Sequence, residues 1–172
     1  NQYNALAAVG VATSLDIPDK EVKKALRGFA PAFGRQEEIR VGKKTVKLFL
    51  SKNPAGFNAS LKTVLEMGAK DILLVLNDRI PDGRDVSWIW DVDFEMIPPS
   101  VTVGVSGDRR YDMAIRIKYA DIDIPSSRVY QQLEDAIVKS LKKPLKGNAL
   151  YILATYSGML EVRKILKGRK IL

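Results

Sequence analysis

Residues 72–95, ILLVLNDRIPDGRDVSWIWDVDFE, pass from an unbroken apolar run straight into acid, and the join between the two halves decides the architecture. The run 72–76 has no polar position, as expected of a strand covered on both faces of a parallel sheet. The loop that follows therefore belongs at the carboxyl end of that strand, where parallel sheets bind their ligands. Asp78, Asp82, Asp85, Asp91, Asp93 and Glu95 are six of the twenty acidic residues in a chain of formal net charge +8. Carboxylates crowded together raise one another's pKa and suit a cation, a metal-bound nucleotide or a reacting amine. A solvated turn segment rich in Asp, Gly and Pro is the plain alternative. Trp88 and Trp90 point the same way if the segment is extended, and rings of that size argue for a pinned loop.

Composition removes whole classes of chemistry. The chain has 172 residues, 46% of them hydrophobic, enough for one domain or for one domain with part of a neighbour. Cysteine and histidine are both absent, so disulfides, thiolate nucleophiles, the usual zinc ligands and every Ser-His or Cys-His dyad are excluded. Acid-base work falls to carboxylates, lysines or tyrosines. The excess of Lys and Arg is spread along stretches such as 19–29 and 163–170, without the interleaved aromatics of a single-strand platform. No nucleic-acid partner is expected. No run approaches the roughly 18 to 20 apolar residues of a membrane span. The first residue is Asn rather than Met and already sits in a helical pattern, which reads as a piece of a longer protein.

Outward from the central strand, the pattern alternates. Residues 1–15 form an alanine-rich apolar helix, and Asp19 caps a second helix in which Val22, Leu26 and Phe29 recur before Pro31 ends it. Two runs, 38–41 and 45–50, flank Gly42, Lys43 and Lys44 as a hairpin at a sheet edge. The turn SKNPAGFN (51–58) leads into a helix carrying Leu61, Val64 and Leu65, closed by Gly68. Residues 101–105 read as another buried strand, followed through Ser106, Gly107 and Asp108 by a helix. Leu133, Ile137 and Leu141 mark a further helix, 149–154 the last strand, and Met159, Val162 and Leu166 the closing helix. Strands alternating with helices throughout give an α/β fold, a doubly wound, mostly parallel sheet with right-handed crossovers.

Neither a GxxxxGK[ST] loop nor a strand-linked GxGxxG is present, so most of any nucleotide phosphate site lies elsewhere. The loop 51–58 offers one cation, Lys52, two amides, Asn53 and Asn58, and a Pro-Ala-Gly backbone open to close approach, or else it is a simple turn. Arg35, beside Gly34, either clamps a ribose or phosphate or pairs with Glu37.

The segments FGRQE (33–37), SKNPAGFN (51–58), LNDRIPDGRDVSWIWDVDFE (76–95), SGDRRYDMAIRIKYA (106–120) and YILATYSGMLEVR (151–163) together resemble the MurT family, the Mur-ligase-like subunits of lipid II isoglutaminyl synthase. The resemblance implies a Rossmann-like Mur ligase C-terminal domain over 33–172, with 1–32 the last helices of the Mur-ligase central domain. It also implies ATP-dependent amidation of the D-glutamate α-carboxyl of lipid II through an acyl phosphate, in the cytoplasm. Ammonia would come from a GatD-like glutaminase subunit, and the membrane enters only through the lipid-linked substrate. ATP and magnesium would be shared with the central domain, no zinc is expected in this part, and the part alone is expected to be inactive. An alternative task is docking the glutaminase without direct catalysis. Residue by residue, the resemblance places Arg35 near the ribose, and Lys52, Asn53 and Asn58 near the nucleotide and acyl phosphate. It places Asn77, Asp78 and Arg79 at the incoming amine, and Asp91, with Asp85 next in line, as the catalytic carboxylate.

Overall fold

The computed structural model describes residues 2–29, 36–142, 145, 147 and 149–168, so Arg35, Gly34 and Pro31 lie outside the described residues. The chain divides into two compact units, 1–32 and 33–172. The first is a helix pair, α1 (Gln2–Ser14) and α2 (Asp19–Arg27). Asp19 proves to be the first helical residue of α2 rather than its cap, a position occupied by Pro18, which has no side-chain donor or acceptor to offer. α2 stops at Arg27, two residues short of the expected end, where the Gly28 N–H closes on Lys24 O.

The second unit comprises β1 (Glu37–Val41), β2 (Lys44–Leu50), α3 (Pro54–Glu66), β3 (Asp71–Val75), β4 (Thr102–Ser106), α4 (Arg110–Tyr119), α5 (Leu133–Lys142), β5 (Ala149–Ala154) and α6 (Tyr156–Lys167). Its five-stranded sheet has the order β1-β2-β5-β3-β4, with β1 antiparallel to β2 and every other pair parallel. Gly42, at φ 60°, makes the tight turn that returns β1 on β2. The period of two along each strand divides the core. Ile72, Leu74 and Leu76 face α3 and α4 together with Tyr151 and Leu153. Leu73 and Val75 face α5 and α6 together with Leu150, Ile152 and Ala154. Helices thus cover both faces of a mostly parallel sheet, the α/β architecture expected from the apolar runs.

Two expectations need correction. Strands do not alternate with helices throughout, because β3 and β4 are joined without an α-helix, through short 3-10 turns at Ser87–Asp91 and Phe94–Met96. Nor is the tryptophan segment extended. With about three residues per turn, a 3-10 helix points positions two apart in different directions. Trp88 accordingly turns inward on Phe57, with ring centroids 6.0 Å apart, while Trp90 turns outward, is 50% exposed and meets Tyr119 edge-on at 5.4 Å.

Candidate active site

The loops after Leu50, Leu76, Ser106 and Ala154 all leave the same edge of the sheet, because β2, β3, β4 and β5 run parallel. Between them lies a polar lattice centred on Asn77, which is 1% exposed. Its backbone N–H donates to Thr155 Oγ1 at 3.0 Å, its Nδ2 to Ser157 Oγ at 2.9 Å, and its Oδ1 accepts from Asp108 N at 2.9 Å. Gly107 makes that last approach possible. At φ 102°, an added Cβ would stand 2.4 Å from Leu76 O and 2.7 Å from Asn77 Oδ1. Asn77 thus joins three loops with groups that are all engaged inside the chain.

Five of the six loop acids take separate partners inside the chain, and the expected mutual pKa elevation is not seen at Asp85 or Glu95. Asp78 pairs with Arg109 at 3.2 Å, and Arg109 also holds Asp112 at 2.8 Å. Asp82 caps the first turn of α6, accepting from Ser157 N at 2.8 Å and from the Ser157 hydroxyl. Asp85 accepts from Ser87 N at 2.8 Å, and that bond to the charged form holds its carboxyl below the ordinary value. Asp93 and Asn58 are reciprocally bonded, at 2.8 and 2.9 Å. Glu95 is also lowered, by its bond to Arg116 at 2.9 Å. Both directed shifts among the six are downward. Asp91 is exposed and, among the described residues, its carboxylate forms no hydrogen bond or ion pair.

The basic candidates divide in the same way. Arg79 is gripped by Asp108 through two bonds, 2.8 and 3.2 Å, and by Glu161 at 2.7 Å. These contacts, the Asp108 bond foremost, raise its pKa further. Lys52 is exposed and without a partner among the described residues. Asn53 uses its side-chain oxygen as the cap of α3, accepting from Gly56 N at 2.7 Å, which leaves its amide nitrogen for other contacts.

An open cleft of about 250 Å³ is lined by Arg84, Asp85, Ser87, Trp90, Arg109 and Asp112, together with Val86 and Ile89. Of the expected site residues, the cleft brings in Asp85 alone. Asp91, Lys52, Asn53 and Asn58 stand outside its lining. A second cleft, about 350 Å³, opens at the other end of the strands between Glu38, Lys47 and Tyr151 and contains none of them. Sequence reasoning missed Arg109, Asp112, Ser157 and Arg116. The Arg109/Asp112 pair was legible as an opposite-charge pair at helical spacing, whereas the Ser157 contact joins positions 75 apart and leaves no local signal. Among the described residues no group of three or more His, Cys, Asp or Glu is placed to hold a metal ion, and no helix is long and apolar enough to cross a membrane.

Residues 50–159 match the family model described as MurT ligase C-terminal. The chain is 35% identical over 176 residues to the lipid II isoglutaminyl synthase (glutamine-hydrolyzing) subunit MurT of Streptococcus pneumoniae, covering 99% of this chain and 38% of that protein. It is 36% identical over 128 residues to the subunit of the same name from Staphylococcus aureus strain COL, covering 73% of this chain and 29% of the relative. The chain therefore spans well under half the length of these relatives. In fold it resembles a pseudomurein peptide ligase type C from Methanothermus fervidus, with TM-score 0.65, 23% identity and coverage of 99% of this chain and 36% of that one. MurF from Acinetobacter baumannii gives the same TM-score at 15% identity, covering 96% and 36%.

Proposed function

This chain belongs to the MurT ligase C-terminal family, and from that premise we propose that it is the C-terminal domain of an ATP-dependent ligase subunit that amidates the D-glutamate α-carboxyl of lipid II. In this reading, residues 1–32 are the last helices of a preceding central domain and 33–172 the C-terminal domain proper. Nitrogen arrives as ammonia from a GatD-like glutaminase, the partner that the resemblance implies, in keeping with relatives named as subunits of a glutamine-hydrolyzing synthase. The work is cytoplasmic, where ATP is available, and meets the membrane through the lipid-linked substrate.

ATP with magnesium supplies the phosphoryl group that makes the carboxylate an acyl phosphate. Lys52, exposed and unpaired among the described residues, fits a cation beside that polyphosphate, and the free amide nitrogen of Asn53 a neighbouring donor. Among the described residues no three carboxylates are grouped as a metal cage, and magnesium is read as shared with the central domain. What remains for this domain is the amine side. Ammonia adds to the acyl carbon, the bond to the phosphate oxygen breaks, and the nitrogen passes a proton to a carboxylate within hydrogen-bond reach.

The observation that carries the assignment is the condition of the six loop acids. Five hold partners inside the chain, and Asp91 alone is exposed and unbonded among the described residues. In the complete subunit, Asp91→Asn keeps the shape and removes the base, so amidation should fall roughly 10²-fold while folding and ATP binding persist. Undiminished amidation by the folded variant would transfer the role to Asp85, whose carboxylate does line the cleft.

Docking of the glutaminase is a second reading, favoured by an exposed apolar stripe. Tyr111, Ile115 and Tyr119 lie one turn apart on α4, and Tyr119 meets the exposed ring of Trp90. Ile115→Asp should then abolish co-purification of the glutaminase and leave amidation driven by added ammonium intact. Retained co-purification would remove the stripe from the interface.

A further inference from the structure

Helix α6 starts without using the cap its own sequence supplies. Thr155 stands at the N-cap, yet its hydroxyl makes no bond to the helix and instead accepts the N–H of Asn77 at 3.0 Å. The first-turn N–H that such a hydroxyl ordinarily takes belongs here to Ser157, and it donates to Asp82 Oδ1 at 2.8 Å. The Ser157 hydroxyl donates to the other oxygen of Asp82 while its own oxygen accepts from Asn77 Nδ2 at 2.9 Å. The caps are exchanged: the helix end serves the loop backbone, and the loop carboxylate serves the helix.

The exchange has a consequence two residues further on. Asp82 N and Gly83 N both close on Arg79 O, at 2.8 and 3.1 Å, and Gly83 turns the chain at φ 89°. Arg84, Asp85 and Val86 leave that turn as cleft lining, and Asp85 is then fixed by its bond from Ser87 N. The lining segment therefore hangs between two anchors, Asp82 on α6 and Asp85 on the 3-10 turn. Thr155 and Asn77 are each 1% exposed, so water does not readily replace the bonds of this lattice.

We propose that Asp82 is a positioning residue: through Ser157 it clamps residues 79–86 to the N-terminal turn of α6 and thereby sets where Arg84 and Asp85 stand in the cleft. Asp82 touches no reacting atom. Its consequence for nitrogen entry rests on the amidation reading above, but the clamp itself does not.

Hydrogen exchange by mass spectrometry on the chain tests the clamp. Asp82→Ala and Ser157→Ala should each speed exchange across 78–86 and the first turn of α6 about tenfold, with β3 and β5 unchanged. Asp82→Asn, which retains an acceptor for the Ser157 N–H, should restore most of the protection. Unchanged exchange in the alanine variants overturns the clamp. If Asp82→Ala fails to fold, Ser157→Ala and Asp82→Asn decide the same question. In the complete subunit with ammonium as nitrogen source, Asp82→Ala should raise the KM for ammonium about tenfold and move the KM for ATP less than twofold. Equal rises in both, or an unchanged KM for ammonium despite faster exchange, overturn the positioning role. Absence of ammonium-dependent amidation in the unsubstituted subunit would contradict the amidation reading instead, and the exchange result would still decide the clamp.

Discussion

Arg116 holds the acidic segment in place, and it does so from inside. The residue is 4% exposed, donates from Nη2 to Val92 O at 2.6 Å and pairs with Glu95 at 2.9 Å. Its guanidinium lies 5.7 Å from the Trp90 ring and 5.3 Å from the Phe94 ring. A planar cation does both tasks at once, lying over the rings while its edge bonds a carbonyl and a carboxylate. Arg116→Met preserves much of the volume but removes the charge-assisted bonds to Val92 O, which keeps its bond from Phe94 N, and to Glu95, and we expect a loss of about 2 kcal/mol in urea unfolding. A loss under about 0.5 kcal/mol would mean that the segment is held by packing alone. None of this was legible at residue scale, since Arg116 reads locally as a helix-surface base among Arg109, Arg110 and Lys118. The clustered acids misled for the same reason: charge density along a sequence says nothing about the partner that each carboxylate finds across the fold.

At the scale of elements, the apolar runs were informative where burial is two-sided, and β3, β4 and β5 emerge close to where their sequences place them. The conformation of 87–91 stays open in the sequence because Trp-Ile-Trp fits an extended segment and a 3-10 turn equally well, and the contacts with Phe57 and Tyr119 accompany the 3-10 turn. The edge of the sheet depends on an ion pair between elements that are distant in sequence. Glu37 of β1 bonds Lys167 of α6 at 2.6 Å and is also paired with Arg163 of α6. Burial alone raises the Glu37 carboxyl, but the bonds to Lys167 and Arg163 outweigh it and hold the pKa below the ordinary value of 4.5. A lowered folded-state pKa means that the unfolded chain binds the proton first as pH falls. The stabilisation is therefore complete above the ordinary value and is lost as pH drops through the folded one. The melting temperature should fall as pH is lowered below 4.5, and Glu37→Gln should flatten that part of the profile. An unaltered profile in the variant would mean that other carboxylates set the acid response.

Taken whole, the domain is a scaffold with its candidate chemistry exposed on one edge and its basic residues distributed around it. Alternating apolar and polar runs carried the fold class, because a parallel sheet must be covered on both faces whatever the protein does. The choice of Lys52, Asp85 and Asp91 rests on the resemblance to the MurT family, since all three are ordinary surface residue types that no local pattern singles out. In the proposed function Asp91 serves the amine half of the reaction, separately from the carboxyl activation beside which Lys52 stands. Positional isotope exchange in bridge-labelled ATP, measured in the complete subunit with lipid II and without ammonium, reports activation separately from amidation. If Asp91 acts on the amine alone, Asp91→Asn retains scrambling within about threefold of the unsubstituted subunit and loses roughly 10²-fold in amide formation when ammonium is added. Scrambling lost in parallel with amidation, or amidation left intact, would contradict it.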